Sequence, residues 1–104
     1  MANGISKEAA EQYLADVSPM WRAFWFHMHL YAKNIEEFCA GLGAIDDGVY
    51  SYHSSEGHGD LSRWVREVIG DGELADELDK VKTREEAVEV TCRRVAELKK
   101  MVGA

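Results

Sequence analysis

Long apolar runs are missing from this sequence. The richest stretch, Trp21 to Tyr31, is broken by Arg22, His27 and His29, and it falls well short of the ~20 residues that cross a bilayer. Basic residues are outnumbered, with 12 Lys and Arg against 19 Asp and Glu and a formal net charge of −7. That balance excludes a general nucleic-acid binder, which needs Lys and Arg clustered along one face, and it disfavours docking on an anionic membrane. Only two cysteines occur, Cys39 and Cys92, far apart and without CxxC spacing. They predict reduced, buried core thiols rather than a disulfide framework or a zinc knuckle. The opening MANGISKEAAEQ lacks a basic start followed by an apolar run, so no secretory signal is expected and the reading is a cytoplasmic protein. A phosphate-cradling glycine loop, a strained nucleophile turn and a catalytic carboxylate pair are absent as well. No catalytic residue is assigned, although His53 and Asp60, seven apart, have the residue types of an acid–base pair.

What is present is enough apolar material for a core. With 104 residues, 46% of them apolar, and one proline, residues 1–104 predict a single domain that buries roughly 60–70% of its unfolded surface. The punctuation predicts an all-α fold, a compact antiparallel bundle of about five helices with short connections. Ser6 caps a first helix carrying Ala9, Ala10, Tyr13, Leu14 and Val17. Ser18-Pro19 starts a second, from about Pro19 to Ala40, which Gly41 and Gly43 end. Asp46 caps a short helix, although Tyr50 and Tyr52 with Val49 also allow a brief extended stretch. After the loop SSEGHG, Asp60 caps a helix bearing Leu61, Trp64, Val65 and Val68 that Gly70 stops, and Asp71 caps the next, with Leu74, Ala75 and Leu78. Thr83 and Glu86 form a capping box for a last helix striped by Val88, Cys92, Val95, Leu98 and Val102. Its glutamates at the start and Arg93, Arg94, Lys99 and Lys100 at the end complement the helix dipole.

The second predicted helix is rich in large rings. Trp21, Phe24, Trp25, Met28, Tyr31, Ile35 and Phe38 follow three- and four-residue steps and form its core face. Phe26 and Leu30 then fall on the opposite side with Ala23, and they predict a second packed surface, covered by another helix or by a second subunit. His27, Met28 and His29 among the rings also raise a haem or flat-cofactor pocket. The two histidines would point about 160° apart on an ideal helix, however, and could not share one iron.

The order of FWFHMHLYAKNIEEFCAGL, Tyr-Ser-Tyr-His, Gly-Asp-Leu-Ser-Arg-Trp-Val and Ile-Gly-Asp-Gly-Glu-Leu-Ala resembles an uncharacterised, mainly archaeal small-domain family, a domain of unknown function. The resemblance covers about residues 24–81, and its pattern falls on His53, Asp60, Leu61, Trp64, Gly70, Asp71, Leu74 and Ala75. Leu61 stands where members more often have phenylalanine. The resemblance implies a fold and carries no reaction. Two functional readings follow from the residues themselves. The first is a small binding or scaffold module with a protein partner or a second copy of itself, through Ala23, Phe26 and Leu30. The alternative is a divalent-metal site, for zinc, nickel or iron, built from His53, Glu56, His58 and Asp60, with His27 joining if the second helix passes beneath the loop.

Overall fold

Four helix starts fall where the capping residues Ser6, Asp46, Asp71 and Thr83 place them, whereas Asp60, expected as a cap, is itself the first residue of its helix and gives its oxygens to His53 and Arg63. A computed structural model describes residues 6–27, 30–54 and 60–103. In it the Ser6 hydroxyl accepts from the Ala9 N–H at 3.0 Å and opens α1 (Lys7–Leu14). Asp46 accepts from the Val49 N–H at 2.8 Å at the head of α3 (Asp47–Ser54). The helix α4 (Asp60–Trp64) runs on into a π-helical turn, Val65–Ile69, and Gly70 ends it in the left-handed region at φ 95°. Asp71 caps α5 (Gly72–Lys80) through the Leu74 N–H. The Thr83–Glu86 box opens α6 (Arg84–Gly103), with each side chain accepting from the other's backbone N–H at 3.1 and 3.3 Å.

The predicted long second helix is corrected. Pro19 leads into a 3₁₀ turn, Met20–Arg22, followed by an antiparallel hairpin of β1 (Phe24–His27) and β2 (Leu30–Ala32). Phe24 pairs with Ala32 and Trp25 with Tyr31, and the register is irregular between Trp25 and His27. Aromatic side chains favour the pleated surface, where successive residues alternate between faces. Phe24 and Phe26 accordingly point into the core while Trp25 points out. Helical order resumes at α2 (Ile35–Ala44), where Asn34 accepts from the Glu37 N–H at 2.7 Å and Glu37 accepts from the Lys33 N–H. The fold is thus mostly helical, with six α-helices and one small sheet among the described residues.

Gly41 and Gly43 lie within α2 instead of ending it. At Gly41 the reason is close packing, because an added Cβ would come within 2.7 Å of Cζ of Phe26. The core sits between α2, α6 and the hairpin. Phe38, Ile35, Leu42, Leu74 and Leu98 are fully buried in it. Phe38 stacks on Phe26 and Trp64 with ring centres 5.7 and 5.1 Å away, and Phe24 meets Phe26, Phe38 and Trp64 edge-on. Buried Trp64 donates from Nε1 to the Arg22 carbonyl at 2.7 Å, which ties α4 to the turn before the hairpin.

The cysteine expectation is also corrected. Cys39 on α2 and Cys92 on α6 form a disulfide, with Cα atoms 5.6 Å apart, although 53 residues separate them in sequence. These two helices pack along each other, so the two thiols meet only once the bundle is assembled.

Candidate functional site

His53 stands in the last turn of α3 and is buried. Its Nε2 lies 2.9 Å from the Phe26 carbonyl oxygen. A carbonyl only accepts, so Nε2 carries the hydrogen. Nδ1 faces Asp60 Oδ2 at 3.0 Å, and the other oxygen of Asp60 accepts from Arg63 Nη2 at 2.7 Å. The imidazole also meets the Phe24 ring edge-on at 5.0 Å. His53 therefore fastens the hairpin to α3 and α4, and both of its nitrogens are engaged.

That geometry bears on the metal reading. His53 and Asp60 do come together, but as partners of each other, and both ring nitrogens of His53 already face protein oxygens, at Asp60 and at the Phe26 carbonyl. Glu56 and His58 lie outside the described residues. Among the described residues no group of three or more His, Cys, Asp and Glu side chains is placed to hold a metal. For the flat-cofactor reading, the helix that was to present His27, Met28 and His29 is replaced by the hairpin. Met28, His29 and the side chain of His27 lie outside the described residues.

The expected contact surface is inverted. Phe26 is 3% exposed, buried against Gly41, Phe38 and Phe24 of its own chain, Ala23 is buried too, and Leu30 is half-buried against the core. Of the side chains placed on the core face by a helical period, Phe24, Ile35 and Phe38 are buried, but Trp21, Trp25 and Tyr31 stand outside. Trp21 is 78% exposed and Trp25 45%, and Met20, Tyr31 and Tyr52 are exposed as well. Trp25 and Tyr31 stack across the hairpin with ring centres 4.6 Å apart. The signal for this surface was present in the alternation of Phe24, Trp25 and Phe26 and in the Asn34-x-x-Glu37 cap that starts a helix only after the rings.

Beside Trp25 runs a shallow groove of about 280 Å³, lined by the apolar Phe24, Trp64 and Val68 together with the charged Asp60, Arg63 and Glu67. His53 lines it too, and also lines a cavity of about 270 Å³ that reaches Ser62, Asp79 and Lys82. There the Ser62 hydroxyl, ahead of the Arg66 guanidinium, holds the Asp79 carboxyl below the usual aspartate range against the opposing effect of burial. Farther away, Arg94 and Asp71 form a buried bidentate pair at 2.7 and 2.9 Å. Burial opposes the Arg94 charge, but the hydrogen bond and attraction of Asp71, with Glu73 and Glu97, outweigh it and raise the guanidinium above its ordinary range. The sequence carries no signal for this pair, because Arg94 reads as one of several exposed cations near a helix end.

The residues of the sequence pattern have structural places: His53 and Asp60 join elements, Trp64, Leu61, Leu74 and Ala75 fill the core, and Gly70 and Asp71 form the junction before α5. No protein family, curated protein or solved structure matches the chain.

Proposed function

We propose that the chain is a small binding module whose contact surface is the outer face of the hairpin. The exposed Trp25–Tyr31 stack carries this reading. Met20 and Trp21 add to it from the turn that leads into β1. Large exposed rings are unfavourable in water unless a partner covers them, and Trp and Tyr supply much of the binding energy at protein interfaces. The strand behind the rings is anchored, since Phe24 and Phe26 lie in the core and His53 bonds to the Phe26 carbonyl. The partner is another protein or a second copy of the chain. The place of work is less bound to a reducing cytosol than the isolated cysteines imply, because disulfides persist mainly in oxidising compartments.

The test is photo-crosslinking in the source cells, with a benzophenone-bearing residue replacing Trp21 in one protein and exposed Glu89 of α6 in another. Discrete covalent adducts are expected from position 21 and not from position 89. Adducts at neither position, or the same adducts at both, would exclude the hairpin as the contact face.

A further inference from the structure

We infer that the groove beside Trp25 receives the guanidinium of an arginine side chain belonging to a protein partner. The inference rests on the hairpin being the contact face and names what it recognises. Its first support is the charge arrangement. Asp60 is engaged by His53 and Arg63, so the Arg63 charge is answered inside the groove. Glu67, one helical turn beyond Arg63, is exposed and has neither an ion pair nor a hydrogen bond among the described residues. The groove is left with one unanswered carboxylate, in a chain whose net charge of −7 attracts cations from a distance.

The second support is shape. Trp25 is among the residues that line the groove and is 45% exposed, with its ring stacked on Tyr31. A planar guanidinium stacks on an indole while its N–H fork donates to a carboxylate, whereas a lysine ammonium is a compact, strongly hydrated point charge. The groove is open and small, about 280 Å³, at the lower end of small-molecule sites, and it has room for one inserted side chain.

N-acetylarginine amide titrated into the full chain tests this, followed through the indole N–H resonances of the three tryptophans. The Trp25 resonance is expected to shift saturably, and the uncharged isostere N-acetylcitrulline amide is expected to leave it in place. Glu67→Gln should weaken binding by up to about fivefold, the range of exposed ion pairs, whereas Arg63→Gln should tighten it by removing the competing cation and releasing Asp60. The same spectra verify that each variant is folded. No saturable shift, equal binding of the citrulline compound, or an unchanged affinity in Glu67→Gln would overturn the proposal. Adducts at position 21 without arginine binding would leave the contact face standing and exclude arginine as its ligand, while arginine binding without adducts would retain the groove and remove the hairpin face.

Discussion

Arg94 shows most clearly what a single residue does in this fold. Its guanidinium is 5% exposed and Asp71 1%, so each charge depends on the other for the solvation it has lost. Asp71 has a second task, accepting the Leu74 N–H at the start of α5. Arg94→Met would leave a buried carboxylate without a cation and is expected to lower stability by about 3–5 kcal/mol. Adding Asp71→Asn should restore most of that loss, because asparagine keeps the cap oxygen and brings no charge. Urea unfolding of the single and double variants measures both effects. A double variant no more stable than Arg94→Met would mean that the ion pair, and not the stranded charge, sets the energy.

Among the elements, α2 and the hairpin depend on each other at one contact. Gly41 gives up helix propensity so that the Phe26 ring can lie against the helix backbone. Gly41→Ala would gain about 1 kcal/mol of propensity and lose about 1–3 kcal/mol to overpacking, because Phe26 is already held by Phe24 and Phe38. The expected net effect is a loss of up to about 2 kcal/mol. Gly43, two residues on, would meet nothing within 4 Å, so Gly43→Ala should stabilise by about 0.5–1 kcal/mol. Opposite signs in thermal melts would establish the packing role, and stabilisation by both would remove it. The same pair of elements marks where the sequence was legible. The caps at Ser6, Asp46, Asp71 and Thr83 and the stop at Gly70 were readable because they are local chemistry, one side chain against backbone groups three residues away. The hairpin was not, because rings at 21, 24, 25, 28 and 31 satisfy a helical period as well as Phe24, Trp25 and Phe26 satisfy a strand period. A helical period turns the surface inward and puts Trp21, Trp25 and Tyr31 in the core, so the candidate site is legible in the sequence only as His53 with Asp60.

For the whole molecule, the link between Cys39 and Cys92 joins the middle of the chain to its last helix across 53 residues. A cross-link of that span limits the unfolded chain far more than the folded one, and loop-closure entropy sets its contribution at about 4 kcal/mol. The native bundle has other reasons to keep these helices together. Leu42 and Phe38 of α2 and Leu98 of α6 are fully buried, and Lys99 pairs with Glu36 at 2.6 Å. Reduction should therefore leave the helical content in place at moderate temperature and lower the melting temperature by roughly 15–30 °C. Circular dichroism melts with and without a phosphine reductant measure this, and Cys39→Ala/Cys92→Ala should match the reduced protein and ignore the reductant. Alkylation of protein taken directly from its cells, before and after reduction, completes the argument by showing which form the chain works in. Thiols that are blocked until reduced would place the module where disulfides last, whereas thiols that alkylate at once, together with a melting temperature indifferent to reductant, would mean that apolar packing of α2 on α6 holds the bundle without the cross-link.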